Sequence, residues 1–219
     1  MEILLATWNR QKLAWMANGL QQVGLPIHIL RDGEIPEAEE SGKTCEENAL
    51  LKVREVRAAK EARMSAAHRA SSSLPTLSEN KATFDTIIVG EDSGLFIDAL
   101  NGFPGVRTAR FAAGTDNDRS QIILERMLSL KEGQRKACFV SVVAVQFPDG
   151  QEDVYRGEFH GEISFAPMGT LSEGYARIFQ LLNGQTLASL NPAQWEGRDH
   201  RRQALSLASA GILKWLEPR

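Results

Sequence analysis

The 219-residue sequence predicts an α/β fold, a mixed sheet flanked by helices and organised as two lobes around a cleft. Three observations carry that prediction. The chain opens as β-α-β, an apolar run at 86–90 ends in the adjacent acids Glu91-Asp92, and a long extended pair turns at Pro148-Asp149-Gly150. In open α/β sheets ligands bind beyond the carboxyl ends of the strands. The two acids therefore mark the first place to look for chemistry.

Ile3 to Ala6 reads as a short parallel strand. Leu13, Met16, Ala17, Leu20 and Val23 recur at helical spacing, which predicts a helix over 11–23. Gly24 and Pro26 end it, and Ile27 to Leu30 returns as a strand. The acidic, aperiodic stretch 31–42 is a loop by composition. Thr44 and Glu47 have capping-box spacing, and the helix they open, over 45–63, buries Ala49, Val53 and Val56. Residues 66–84 hold three consecutive serines and a proline and read as a surface excursion.

The strand at 86–90 should hand Glu91 and Asp92 to a Ser93-Gly94 turn, followed by a separate short strand at 95–98. Asp116 or Asp118 would cap a helix bearing Ile122, Ile123, Met127 and Leu130. Extended runs at 137–147 and 154–165 form the long hairpin. Ala204, Leu207, Ala208, Ile212 and Trp215 make the stripe of a terminal helix. No internal repeat breaks the chain, so 1–219 reads as one domain.

Composition narrows the function. With 42% apolar and 24% charged residues the chain is an ordinary globular protein, and its formal charge of -3 gives no support for coating nucleic acid. Cys45 and Cys138 are the only cysteines, too few for a disulfide framework or a structural zinc spacing. They read as small buried or half-buried thiols in a reducing cytoplasm. The start lacks a signal-peptide pattern, and no apolar run approaches membrane-spanning length.

Two polar clusters suggest phosphoryl chemistry. Thr7, Asn9 and Lys12 follow the first strand at a strand-to-helix junction. Free helix N–H groups there would join a hydroxyl, an amide and an ammonium around phosphate oxygens. The same residues would also serve as a plain N-cap beside a solvated lysine. Glu47 and Lys52 could border one cleft, or be a capping glutamate and a surface lysine. Asp92 could hold Mg2+, orient water or accept its proton; its plainer role is to cap a turn through the Gly94 N–H. Neighbouring strand residues face opposite ways, so Glu91 and Asp92 share a cleft only if the strand has ended. Ser93 and Gly94 would let the turn approach a phosphate closely. Arg107 and Arg110 could serve phosphates or solvate a surface, and Asp98 could brace the fold. His200 and Arg201, in a charged run, read locally as a solvated turn.

Thr7-x-Asn9-x-x-Lys12, Glu47-Asn48-Ala49 with Lys52, Glu91-Asp92-Ser93-Gly94-Leu95, Pro104-Gly105 with Ala109-Arg110-Phe111, and His200-Arg201 occur in one order. Through them the chain resembles the Ham1 family of inosine and xanthosine triphosphate pyrophosphatases from about Ile3 to Leu213. The resemblance implies a dimeric, two-lobed mixed α/β fold with the nucleotide in the central cleft. It implies Mg2+-dependent cleavage of a nucleoside triphosphate to monophosphate and pyrophosphate. By likeness Thr7, Asn9, Lys12 and Lys52 contact phosphates, with Ser93 and Gly94 beside them. Glu47 and Asp92 hold Mg2+, and Asp92 is the central catalytic residue with Glu91 as a neighbouring metal or water ligand. Gly174, Tyr175, Trp195, His200 and Arg201 fall at the base-binding end.

That end departs from the family pattern. Where the family reads Gly-Phe-Gly-Tyr-Asp-Pro-Ile-Phe, residues 172–179 read Ser-Glu-Gly-Tyr-Ala-Arg-Ile-Phe. Glu173 replaces the stacking phenylalanine, whose loss would remove about 1–3 kcal/mol unless another ring such as Trp195 replaces it. Trp195 stands for a lysine, Trp8 for a glycine, and Asp199-His200-Arg201-Arg202 for Ser-His-Arg-Gly. The phosphate end is intact and the purine end rebuilt. Two other readings compete: a Maf-like pyrophosphatase acting on pyrimidine or modified nucleotides, and a non-catalytic nucleotide-binding protein on the same scaffold.

Overall fold

The computed structural model describes residues 1–31, 33–71, 85–170, 174–191 and 199–218, with backbone alone for 68–71. Strands β1 (Glu2–Ala6), β2 (Ile27–Ile29), β3 (Thr86–Ile97), β4 (Pro104–Gly105), β5 (Lys136–Gln146), β6 (Glu152–Ile163) and β7 (Phe179–Gln180) form one sheet. Its order is β2-β1-β3-β5-β6-β7, with β4 paired to β3. The sheet is mixed: β1 runs parallel to β2 and β3, whereas β4 and β7 pair antiparallel. The helices are α1 (Arg10–Leu20), α2 (Cys45–Ser71), α3 (Asp116–Arg126) and α4 (His200–Leu216). The expected mixed α/β architecture is present.

The chain divides into two compact units. Unit 1 comprises Met1–Glu91, Val143–Tyr155 and Leu205–Arg219; unit 2 comprises Asp92–Val142 and Arg156–Ala204. In unit 1 the β-α-β opening packs as its apolar spacing dictates, with Met16 and Leu20 of α1 and Ala49, Val53 and Val56 of α2 fully buried. Arg57 of α2 donates to the carbonyls of Phe147 (2.8 Å) and Pro148 (3.1 Å), tying that helix to the hairpin turn. On α4 the buried stripe is Ala204, Leu205, Ala208 and Ile212, whereas Leu207 is 48% exposed. Leu207 was expected inside; it lies about 100° round the helix from Ala208 and so misses the stripe. Trp215 stacks on Phe147 at 4.9 Å.

Unit 2 has its own apolar cluster, including Leu95, Ile97, Ile123, Met127, Ile163, Ile178, Phe179 and Leu187. Arg135, buried to 2% exposure, donates to the carbonyls of Met127 (2.7 Å), Ile163 (2.7 Å) and Ser164 (2.9 Å). It ties the C-terminal end of α3 to the end of β6. The cap of α3 is Thr115 rather than either aspartate: its hydroxyl accepts from Asp118 N–H (3.3 Å) and Asp118 accepts from Thr115 N–H (2.7 Å).

Three further expectations need correction. Helix α2 continues to Ser71, into the segment read as a surface excursion, and 72–84 lie outside the described residues. The first helix ends at Leu20 and tightens into a 3-10 turn over Gln21–Val23. The turn expected at Ser93-Gly94 does not exist: β3 runs unbroken through both residues to Ile97, absorbing the separate strand at 95–98. Its partner β4 keeps it extended, pairing Leu95 with Gly105. A Cβ at Gly94 would lie 2.5 Å from the Gly105 carbonyl oxygen, so only glycine admits this approach. Among the described residues no helix is long and apolar enough to cross a membrane.

Candidate active site

In unit 1 the parallel register pairs Ala6 of β1 with Gly90 of β3, so Thr7 follows one strand beside Glu91 on the next. Thr7 is buried, and its hydroxyl accepts from Asn9 N–H at 3.3 Å. Asn9 is the N-cap of α1: its side-chain oxygen accepts from Gln11 N–H (2.9 Å) and Lys12 N–H (3.4 Å). Those two backbone donors, expected to await a phosphate, are thus occupied by the cap. The cap engages only the carbonyl oxygen of Asn9, so its amide nitrogen still offers two donors.

Lys12 reaches back from the first turn of α1 to Glu91, Nζ to Oε2 at 2.7 Å. Glu91 is fully buried and Lys12 is 18% exposed at its side chain. Lys52, also buried, donates to the Glu91 carbonyl (2.9 Å) and pairs with Glu40 (2.6 Å). Two ammonium groups therefore converge on one strand residue, each held by a carboxylate. Sequence reasoning missed both pairings. Glu40 sits in an aperiodic acidic loop that gives no signal, and Lys12 and Glu91 are far apart in sequence.

Glu47 is exposed in the first turn of α2. Its N–H donates to Thr44 Oγ1 (3.1 Å), as the spacing predicts, but its carboxylate turns to Lys43 N–H (2.6 Å) rather than closing the box. One carboxylate oxygen carries that bond and the other remains for a ligand. Asn48, wholly buried, accepts from Gly42 N–H at 2.8 Å and so shapes the loop leading into α2.

Gly90 fixes the direction of the two acids. A Cβ there would lie 3.0 Å from Val53 and 3.3 Å from Lys52, on the α2 face. Strand alternation then sends Glu91 to the other face and Asp92 back to the face Gly90 uses. Because the strand has not ended, the acids do not act as an aligned pair. Asp92 is 3% exposed and Ser93 half-buried.

In unit 2, His200 is the first residue of α4 and Asp199 caps it. Asp199 accepts from Arg201 N–H at 2.9 Å and lies 3.0 Å from His200 Nδ1. Burial pushes the Asp199 carboxyl upward, but the hydrogen bonds and charge interactions with His200 and Arg201 together outweigh it and hold the group below its usual range. The His200 ring, 8% exposed, stacks on Phe139 at 5.2 Å and 12°. This end of α4 sits against β6 at Gly157, where a Cβ would collide with the His200 carbonyl oxygen. Arg201 is exposed. Gly174 adopts a left-handed φ of 52° and Tyr175 turns inward, its hydroxyl donating to the Thr108 carbonyl at 2.5 Å. Burial raises the Tyr175 phenol to about 12, so it is a neutral brace. Trp195 and Glu173 lie outside the described residues, while Arg107, Arg110 and Asp98 are exposed.

A model of the Ham1 family matches residues 3–210. The chain belongs to the Ham1 family. It is 38% identical over 204 residues to a dITP/XTP pyrophosphatase of Symbiobacterium thermophilum, covering 93% of this chain and 91% of that one. It is 35% identical over 207 residues to a dITP/XTP pyrophosphatase of Thermus thermophilus, covering 94% and 88%. Among solved structures, a Ham1 protein of Coxiella burnetii superposes with a TM-score of 0.77 at 29% identity, covering 98% and 99% of the two chains. The Staphylococcus aureus Ham1 protein gives 0.75 at 28% identity, covering 98% and 100%.

Against the Ham1 pattern, several departures acquire a physical account. Trp8 donates its indole N–H to the Ile35 carbonyl (2.9 Å), anchoring the loop after β2 to the turn after β1. Asp199, in place of serine, is an equally good N-cap. Ala176, in place of an acid, is 6% exposed in the unit 2 core, and its carbonyl accepts from Ala188 N–H at 2.9 Å.

Proposed function

We propose that this Ham1 protein is a hydrolase that cleaves non-standard purine nucleoside triphosphates (ITP, XTP or dITP) to monophosphate and pyrophosphate, as a Mg2+-dependent cytoplasmic homodimer. The observation that carries the reading is the convergence of Lys12 and Lys52 on Glu91, beside Thr7 and Asn9. Two anchored cations next to a hydroxyl and an amide suit a phosphate chain. The names of the two pyrophosphatase relatives give the substrate class.

Glu47 and Asp92 are the residues that would hold Mg2+, since both offer the hard carboxylate oxygens this ion takes. When bound, the ion neutralises phosphate charge and acidifies water. Asp92 accepts the proton of the attacking water, whose oxygen forms a bond to the α-phosphorus while the bond to the bridging oxygen breaks. Lys12 and Lys52 stabilise the charge that grows on departing pyrophosphate. Each ammonium has three donors, so Lys12 can keep Glu91 and still bind phosphate. Glu91, committed to Lys12, serves chemistry by fixing that cation. Ser93, half-buried next to Asp92, lines the approach of the phosphate chain, whereas Gly94 serves the packing of β3 on β4. His200 and Arg201, with Gly174, Tyr175 and Trp195, form the base end.

Chromatography of products from inosine, xanthosine, adenosine and pyrimidine triphosphates, in ribo and deoxy forms, tests the reading. Monophosphate with pyrophosphate is expected, fastest from the inosine and xanthosine compounds. Diphosphate with phosphate would overturn the bond assignment. No turnover of any substrate by folded protein would leave a nucleotide-binding protein instead.

A further inference from the structure

On the outer part of the β5–β6 hairpin, where Glu158 N–H donates to Gln203 of α4 (2.8 Å), unit 2 carries a second cluster of chemistry-bearing side chains. The β5–β6 hairpin is tied by Phe147 N–H to Gln151 O (2.9 Å) at one end and Ile163 N–H to Arg135 O (2.8 Å) at the other. Both bonds keep one register, and counting inward from either places Cys138 of β5 directly across from His160 of β6. Glu158, two residues before His160, projects from the same face. Cys138 Sγ lies 3.9 Å from His160 Nε2, and Glu158 Oε2 lies 3.0 Å from the same nitrogen. The three potential ligand atoms all fall within 4.8 Å of one another.

Those separations are near what a metal requires. With Zn–S of about 2.3 Å and Zn–N and Zn–O of about 2.0–2.2 Å, tetrahedral angles put S···N near ~3.6 Å and O···N near ~3.4 Å. The S···N and O···N pairs differ from these by a few tenths of an ångström in opposite senses, and the sulfur and carboxylate oxygen lie within 4.8 Å, so rotation of the exposed His160 and Glu158 side chains closes the set. The neighbouring Arg156 already holds the other oxygen of Glu158, Nε to Oε1 at 2.7 Å, which orients the carboxylate and leaves Oε2 toward the histidine. His160 is 73% exposed at its side chain, so a cation has open access and water can take the fourth position.

We propose that Cys138, Glu158 and His160 form a surface site for a thiolate-seeking divalent cation of the zinc class. A thiolate and an imidazole discriminate against Mg2+, which takes oxygen ligands, so this site and the one proposed at Glu47 and Asp92 draw different ions. On binding, the sulfur–metal bond forms as the thiol proton leaves to solvent; no electron is transferred. Without a metal, Glu158 and His160 form a polar contact beside a half-buried thiol.

Titration of the full-length protein with Co2+, in excess Mg2+ to occupy oxygen-only sites, distinguishes the two. One equivalent should give the near-ultraviolet thiolate-to-cobalt absorption, and Zn2+ should bleach it. Loss of outer-shell partners alone weakens metal sites about 10–100-fold, so His160→Ala should weaken binding by at least about 100-fold. Cys138→Ser should abolish the band; Cys45 is the chain's other thiol, so a band that survives this change comes from elsewhere. Absence of the band, its survival in Cys138→Ser, or unchanged affinity in His160→Ala would each overturn the proposal. His160 is exposed, so that variant decides the matter even if Cys138→Ser fails to fold.

Discussion

Glu91→Gln separates bracing from chemistry. Glu91 is wholly buried and its carboxylate meets Lys12 at 2.7 Å, so the substitution keeps the shape but strands a cation. Breaking a buried ion pair by removing one partner costs about 3–5 kcal/mol. Lys12 retains 18% exposure, so water can reach it, and the lower figure of about 3 kcal/mol applies. For a chain of this length that corresponds to a fall in Tm of about 6–12 °C. Denaturant midpoints and thermal scans read the stability, and pyrophosphate release read at saturating and limiting substrate gives kcat and KM. The expected result is lower stability and a raised KM, because a freed Lys12 no longer holds its place for phosphate. Lys12→Met should remove most of the Glu91→Gln effect on stability, with a coupling above about 1 kcal/mol. Full stability with kcat reduced more than about 100-fold would refute this reasoning and make Glu91 a direct participant in proton transfer.

Asp92→Asn is expected to lower kcat about 10²–10⁴-fold without a change of fold by circular dichroism; kcat within threefold of the parent would refute the assignment. Glu47→Gln should lose activity that higher Mg2+ restores, and a defect indifferent to Mg2+ would argue against ligation. Gly157→Ala places a methyl against the backbone of His200 and Ala204, and denaturation should show a loss of about 1–3 kcal/mol or more. Asp199 titrates below its usual value in the fold, so its stabilising contribution is complete above pH ~4, the ordinary aspartate value. It is lost as pH falls through the lower folded value. The stability gap between the parent and Asp199→Asn, which keeps the cap, should therefore close in that acid range; a gap unchanged by acid would exclude the carboxylate.

Elements with a strong period were legible in the sequence. Val53 and Val56 of α2 and Met16 and Leu20 of α1 announced their buried faces because helical spacing repeats over several turns. The error at Ser93-Gly94 has a physical origin. Two acids followed by small residues usually end a strand, but here β4 covers the chain and glycine is needed for close backbone approach rather than for a turn. Long-range pairing of this kind leaves no local pattern. The same holds for Glu40 and Arg135, whose partners come from distant segments. Motif order nominated Thr7, Asn9, Lys12, Glu47, Lys52 and Asp92 as site candidates, but said nothing of how carboxylates and lysines pair among them.

The rebuilt base end looks different once each change is judged by the work it does. Serine and aspartate both cap a helix, so Asp199 preserves the turn that presents His200 and adds a charge 3.0 Å from its Nδ1. With Nδ1–H directed to that carboxylate, Nε2 of a neutral ring is the acceptor, and stacking on Phe139 fixes the ring plane. Ala176 lies within the unit 2 core, where an unpaired carboxylate would carry a heavy desolvation cost. Alanine at 176 thus suits its buried position, where an acid would need a partner. Changed in kind are the phenylalanine-to-glutamate exchange at Glu173 and the lysine-to-tryptophan exchange at Trp195, together with Arg177 for proline and Arg202 for glycine. If selectivity for the inosine base has shifted, the loss of a stacking ring at Glu173 and the gain of one at Trp195 are the first places to test. Glu173→Phe should then alter the ratio of kcat/KM for inosine and adenosine triphosphates, whereas Asp199→Ser should leave that ratio near the parent value. The opposite outcome would place base discrimination at the cap of α4.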